Sequence, residues 1–237
     1  MSKTAEYSWT LNTSFSRTVP FAVFMVFIGI AECTQLMAQW GKITLPETAL
    51  YYLYPVKTGM VAALLLICLG KYRELSWRDL KGVRLTVAVG VTGIATCLIW
   101  VLLDMTLTVT GAPRGFNPML LPEGPVRLAM TLCRVAGAVL VVPVMEELFW
   151  RSFLIRYLIN PDFESVPVGR FTWPSFLITT VLFGLEHHLF FAGMAAGAIY
   201  NLVLYKTRSL AQCVLAHAVT NLTLAVYVLH TGKWWFW

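Results

Sequence analysis

The feature that most constrains this chain is a series of apolar stretches separated by short polar loops. The series runs from Val19 to Leu229, and several of its stretches approach the roughly 20 residues that a helix needs to cross a bilayer. Charged residues make up 13% of the sequence, about half the share found in soluble domains. The pattern predicts an all-α fold, a polytopic membrane helix bundle with about seven to eight transmembrane helical segments.

Basic residues cluster in a few of the predicted loops and indicate an orientation. The densest cluster lies in the segment KYRELSWRDLKGVR, residues 71–84, which the positive-inside rule places in the cytoplasm. Alternating the loops from this segment predicts a cytoplasmic N-terminus in a multi-pass protein, which we expect in the plasma (inner) membrane. The net charge of +6 indicates affinity for the lipid bilayer, and the sequence has no dense Lys/Arg run that predicts a nucleic-acid partner.

Charged residues inside the apolar stretches are the first sign of a functional site. Glu146, Glu147 and Arg151 interrupt the segment VMEELFWRSFLIRYLI, and a charged side chain at the centre of a membrane helix costs about 2.5–3.5 kcal/mol on insertion scales. Glu147 and Arg151 are four residues apart and can pair on one helix face, whereas Glu146 points about 100° away. Pro143 is expected to kink or break the helix and to aim Glu146 inward. The alternative is a helix end whose charges lie at the membrane interface.

A second group of ionisable residues lies in the segment FGLEHH, which ends in Glu186, His187 and His188. We expect this group in the middle or last turn of a span from about Trp173 to Phe190. Three consecutive ionisable side chains at that depth favour a function, although a single buried histidine is more often structural.

A third group is formed by His217 and Asn221, four residues apart in the last apolar stretch. The two side chains share a helix face and could hold a water molecule or stabilise an oxyanion. Taken alone, this pair is equally typical of hydrogen bonds between helices. Together, the three groups supply a base, a water site and polarising donors, which are the components of water-mediated hydrolysis.

In this order, the three groups resemble the EExxxR, FxxxH and HxxxN signatures of the CAAX-protease and bacteriocin-processing family of intramembrane endopeptidases. The resemblance covers about Val126 to Leu229. It implies one membrane domain overall, with N-terminal transmembrane helices and loops in residues 1–125 and a catalytic helical core in residues 126–237. The implied substrate is a membrane-embedded or lipid-anchored polypeptide.

The resemblance also implies a role for each residue that matches a signature. Glu146 would activate the attacking water, His187 would help to orient it, and His217 and Asn221 would stabilise the developing oxyanion. The supporting residues that the signatures imply are Glu147, Arg151 and Phe183. The FxxxH spacing selects His187 rather than His188.

Two questions stay open on the sequence alone. The chain lacks an HExxH pattern and we expect no cofactor, but a zinc ion held by a glutamate, His187 and His217 would have legitimate ligands. Arg134 is an uncommon charge in the fourth helix, and we expect it either to pair with a glutamate of the site or to bind a substrate carboxyl group. The rival to proteolysis is a non-catalytic membrane scaffold or a bacteriocin-immunity type of protein, and the complete set of signature residues favours the protease.

Overall fold

The computed structural model describes residues 13–107 and 115–237, so residues 1–12 and 108–114 of the predicted N-terminal part lie outside the described residues. Within the described ranges the chain forms seven helices and no strand. The helices are α1 (Thr13–Gln39), α2 (Leu53–Ile67), α3 (Val83–Leu107), α4 (Pro125–Tyr157), α5 (Trp173–Leu185), α6 (Phe190–Thr207) and α7 (Leu210–Thr231). The predicted all-α helix bundle is confirmed.

The helices differ in how well they fit a bilayer. Among the described residues, five of them (α1, α2 with the turn before it, α3, α4 and α7) are long and apolar enough to cross a membrane. Helix α5 has only 13 residues, which corresponds to a length of about 20 Å. Its outer face is apolar and exposed, with Leu177 and Leu185 among its most accessible side chains. Exposed apolar surface of this kind suits contact with lipid, and the chain is an integral membrane protein.

Helix α4 continues through Pro143, so the helix does not break at the proline. The helix contains two π-helical segments, Gly137–Val141 and Leu148–Leu154, on either side of the proline. Proline has no N–H to donate, and the wider π-helical turn absorbs this defect without ending the helix. Glu146 and Glu147 lie on the short α-helical stretch between the two π-helical segments.

Helix α7 packs closely against α3 because a glycine lies at the contact. The hydroxyl of Thr220 donates a hydrogen bond of 2.9 Å to the carbonyl oxygen of Gly93. A Cβ atom on Gly93 would lie 2.5 Å from the carbonyl oxygen of Ala216 and 2.9 Å from Cβ of Val219. The absence of a side chain at residue 93 therefore sets how deeply α7, which carries His217, sits in the bundle.

We expect Gly93→Ala to lower the free energy of unfolding by about 1–3 kcal/mol, since the added methyl group overlaps the backbone of α7. Thermal unfolding of the purified protein in detergent would measure the change. The matched control is Gly90→Ala, one turn earlier in the same helix, where a Cβ atom meets nothing within 4 Å. That variant should be neutral or more stable, because alanine favours a helix over glycine. Equal destabilisation by both changes would contradict the packing argument.

A buried network of charges joins α1, the loop after α2 and the second π-helical segment of α4. Arg17 is 2% exposed, and its Nε and Nη2 atoms donate to the two carboxylate oxygens of Glu74, each at 2.7 Å. Ser152 and Arg156 also contact the Glu74 carboxylate. Burial raises the pKa of Glu74, but the hydrogen bonds from Arg17 and Ser152 outweigh it and hold that pKa below its usual value of 4.5. The network holds the end of α4 that follows the two glutamates.

Candidate active site

Glu147 is the most buried ionisable residue of the candidate site and lies between Arg151 and His217. It is 0% exposed. Its Oε1 atom accepts hydrogen bonds from Nη1 of Arg151 at 3.3 Å and from Nδ1 of His217 at 2.9 Å. The pairing of Glu147 with Arg151 is the one that the four-residue spacing predicts. The contact with His217 joins α4 to α7.

Arg151 is held in place by the neighbouring helices α5 and α6. Its Nη2 atom donates to the carbonyl oxygen of Gly197 at 3.2 Å, and its Nε atom donates to Oδ1 of Asn201 at 3.2 Å. The guanidinium carbon lies 4.5 Å from the ring centroid of Phe183 and 5.3 Å from that of Tyr200. Arg151 therefore positions Glu147 and, through it, the imidazole of His217.

Glu146 is in a different position from Glu147, although the two are adjacent. It is 4% exposed, and its Oε2 atom has no hydrogen-bond partner in the part of the chain that the structure describes. This oxygen lies 4.0 Å from Nε2 of His217. The imidazole of His217 thus lies between the two carboxylates, hydrogen-bonded to Glu147 and facing Glu146. Oε2 of Glu147 is likewise buried without a hydrogen-bond partner among the described residues, but Glu147 already binds Arg151 and His217 through Oε1. Glu146 is the glutamate whose unpartnered oxygen faces Nε2 of His217.

The contact with Glu147 sets which nitrogen of His217 carries a proton. An ionised carboxylate only accepts, so the Nδ1 atom of His217 donates and carries hydrogen. In the neutral ring, Nε2 is then an acceptor, and it can donate only if the ring takes up a second proton. The ring of Tyr200 stacks on this imidazole, with centroids 4.8 Å apart and an angle of 21°. Stacking and the hydrogen bond together fix the direction in which Nε2 points.

His187 lies beyond the end of α5 rather than within a helix, so the predicted position inside a span is wrong. Helix α5 ends at Leu185, and residues 186–189 form the turn to α6. The Nδ1 atom of His187 donates to the carbonyl oxygen of Phe183 at 2.7 Å, which leaves Nε2 as an acceptor in the neutral ring. The last carbonyl oxygens of a helix have no N–H partner within the helix. The four-residue spacing of FxxxH therefore lets a histidine just beyond the helix bond to one of them.

Phe183 connects the two histidines of the site. Its ring centroid lies 4.8 Å from that of His187 and 6.3 Å from that of His217. No hydrogen bond joins the two imidazoles to each other in the described part of the chain. His188 is exposed, and Glu186 accepts a hydrogen bond of 3.1 Å from Nε1 of Trp150.

Asn221 donates a hydrogen bond to a backbone carbonyl oxygen that has no N–H partner in the first π-helical segment of α4. In that segment the N–H of Val142 donates to the carbonyl oxygen of Gly137, five residues earlier. The carbonyl oxygen of Ala138 would need the N–H of residue 143, which is proline and has none. The Nδ2 atom of Asn221 supplies the missing donor at 2.8 Å. This uses one of its two amide hydrogens and leaves the other available.

Sequence reasoning missed two residues that shape the site, Tyr200 and Asn201. Tyr200 stacks on His217, and Asn201 accepts from Arg151 while its amide donates to the hydroxyl groups of Thr179 and Thr180 at 3.0 Å and 3.3 Å. The available signal was an asparagine in the middle of an apolar helix, which is a common sign of hydrogen bonding between membrane helices.

Within residues 13–107 and 115–237, no three His, Cys, Asp or Glu side chains lie in a group that could hold a metal ion. The Nδ1 atoms of His187 and His217 are engaged with Phe183 and Glu147. These hydrogen bonds leave Nε2 of both rings as the nitrogen that could bind a ligand, so chelation is the experiment that decides on the zinc ion that the sequence left open.

The fold and the geometry define a helical membrane protein in which ionisable side chains from two helices and an adjoining turn surround one buried site. Residues 128–223 match the family described as Rce1-like, type II CAAX prenyl endopeptidase Rce1-like. This region is therefore similar to the Rce1-like CAAX prenyl endopeptidases, and the resemblance that the three motifs indicated is confirmed. The matched range contains all of the predicted site residues. No curated protein and no solved structure matched the chain.

Proposed function

We propose that this protein is an intramembrane endopeptidase in which Glu146 activates a water molecule to hydrolyse a peptide bond. One observation carries the proposal. The Oε2 atom of Glu146 is buried, has no hydrogen-bond partner among the described residues and lies 4.0 Å from Nε2 of His217. A buried acceptor without a partner is costly, and such groups are typical of functional sites.

Oε2 of Glu146 and Nε2 of His217 are both hydrogen-bond acceptors. In the proposed reaction, one water molecule lies between them and donates one hydrogen to each. Glu146 takes a proton from this water, and the water oxygen attacks the carbonyl carbon of the scissile peptide bond. The carbonyl electron pair moves to oxygen and gives a tetrahedral oxyanion. Glu146 then passes the proton to the leaving nitrogen as the C–N bond breaks, which yields a carboxyl group and an amine and restores the carboxylate.

The surrounding residues orient the water, stabilise the oxyanion and hold His217 in place. In the neutral ring, Nε2 of His217 is an acceptor, so His217 orients the water beside Glu146 and stabilises an oxyanion only when doubly protonated. The second amide hydrogen of Asn221 is a donor that the oxyanion could use. The free Nε2 atom of His187 accepts a hydrogen bond from water or substrate. Glu147 and Arg151 hold His217 in place.

The proposed substrate is a membrane-embedded or lipid-anchored polypeptide, because the candidate base lies in a helix that is long and apolar enough to cross the bilayer. We propose the plasma (inner) membrane as the location, with the N-terminus and the basic segment 71–84 in the cytoplasm. No metal or other cofactor is part of the proposed reaction.

The proposal is tested by incubating the purified protein with matched peptides and identifying new termini by mass spectrometry. The peptides share one sequence and differ in whether they carry a membrane anchor or a prenyl group near the C-terminus. We expect cleavage of anchored peptides that a chelator leaves unchanged. Loss of cleavage on chelation with recovery on added zinc would overturn the metal-free mechanism. The absence of cleavage across the anchored peptides would favour the non-catalytic role.

A further inference from the structure

A cavity of about 480 Å³ lies at the end of the bundle where α1 ends and α2 begins. Its lining includes Gln35 and Gln39 of the last turns of α1, Tyr54 of the first turn of α2, and Trp237. Arg134 of α4 also lines it. The volume is within the range of small-molecule sites, roughly 300–1,000 Å³.

Arg134 presents an uncompensated positive charge to this cavity. Its Nε atom is buried without a hydrogen-bond partner, and no ion pair of Arg134 is present in the described part of the chain. The expected pairing of Arg134 with a glutamate of the candidate active site is therefore absent. Glu47, whose carboxylate is the only acidic side chain among the described lining residues, is exposed and makes no salt bridge with Arg134. An arginine in an apolar protein needs a partner, and here that partner is not supplied by the described residues.

Aromatic rings hold the guanidinium in a fixed position. Its central carbon lies 4.4 Å from the ring centroid of Tyr54 and 5.9 Å from that of Trp237. Lys57 lies 5.2 Å from the same Tyr54 ring and 3.9 Å from that of Phe24, but it does not line the cavity. An anion bound in the cavity would therefore be stabilised by the charge of Arg134.

The depth of the cavity indicates what kind of anion reaches it. Tyr54 is the second residue of α2, and α1 ends at Gln39, so the cavity lies at the level of helix ends, where headgroups meet hydrocarbon. Tyrosine and tryptophan are the side chains that favour this level. Arg134 precedes Glu146 by twelve residues on α4, which places the two about 18 Å apart along the helix axis. The cavity is therefore separate from the candidate base Glu146.

We propose that this cavity binds the phosphate group of a phospholipid headgroup through Arg134. The planar guanidinium has several N–H donors in a fixed geometry that matches the oxygens of a phosphate. The position at the headgroup level lets the acyl chains of the same lipid remain in the bilayer. The site is a binding function additional to peptide hydrolysis and does not depend on it.

The test measures thermal unfolding of the full-length protein in detergent against three added probes. The first is dioctanoyl phosphatidylglycerol, the second is dioctanoylglycerol, which has the chains but no phosphate, and the third is glycerol phosphate, which has the phosphate but no chains. We expect a saturable rise in the unfolding temperature with the first probe alone. A rise with glycerol phosphate of equal size would show a free-phosphate site and overturn the lipid proposal, as would equal rises with both dioctanoyl probes.

Variants test the role of Arg134 in the same measurement. Arg134→Gln should weaken the apparent affinity for dioctanoyl phosphatidylglycerol by at least about tenfold. Arg134→Lys keeps the charge but lacks the planar guanidinium, so it should also weaken this affinity. It replaces Arg134→Gln in the test if that variant folds poorly. Lys42→Gln is the matched control, since Lys42 is an exposed cation at the same end of the bundle and does not line the cavity. Unchanged affinity in both Arg134 variants would overturn the proposal.

Discussion

Replacing Glu146 by glutamine is expected to lower the rate of peptide cleavage by about 10²–10⁴-fold, the usual contribution of a general base. Glutamine has nearly the shape of glutamate but takes no proton from water. The fold should remain, because the change removes a buried carboxylate oxygen that has no partner among the described residues. Initial rates on an anchored peptide, together with the thermal unfolding temperature of each variant, measure the two effects separately.

The matched control for this prediction is Glu32→Gln, which removes a carboxylate from an exposed position of α1. It should cleave at the wild-type rate. If Glu146→Gln keeps more than about a tenth of the wild-type rate while folding normally, Glu146 is not the base.

Replacing Arg151 by methionine is expected to lower the free energy of unfolding by about 3–5 kcal/mol. Arg151 is 1% exposed, and its loss strands the charge of Glu147 in the interior with His217 as the remaining partner. It also leaves the carbonyl oxygen of Gly197 and Oδ1 of Asn201 without their donor. Denaturant unfolding in detergent measures the change, and cleavage should fall with it because His217 is no longer held.

Two further variants separate the stranded charge from other effects of losing Arg151. The double change Glu147→Gln with Arg151→Met removes both charges and should recover part of the lost stability. Arg73→Met, at an exposed arginine, should change stability by less than about 0.5 kcal/mol. A loss for Arg151→Met as small as that of Arg73→Met would show that the buried pair does not stabilise the fold.

The helical bundle and the pairing of Glu147 with Arg151 can be predicted from rules that concern residues close together in the sequence. Apolar stretches of membrane length predict helices, and residues four apart on a helix lie on one face. The same spacing puts Asn221 one turn beyond His217 on α7. These features depend on one helix at a time, which is why the sequence alone predicts them.

The contacts between helices depend on backbone details that no local rule gives. The π-helical segments of α4 let the chain pass Pro143 without a break, and they create the free carbonyl of Ala138 that binds Asn221. The early end of α5 moves His187 into a turn. Tyr200 becomes part of the site because α6 packs beside α7, which depends on the tertiary fold.

The short length of α5 has a consequence for the bilayer around the protein. Its 13 residues span about 20 Å, roughly 10 Å less than the usual hydrocarbon thickness, and its exposed face is apolar. A membrane adapts to such a hydrophobic mismatch by thinning beside the short helix. Thinning on this flank brings the aqueous phase closer to the turn that holds His187. The same local defect in the bilayer would give both water and an extended polypeptide a short lateral route to the buried carboxylates.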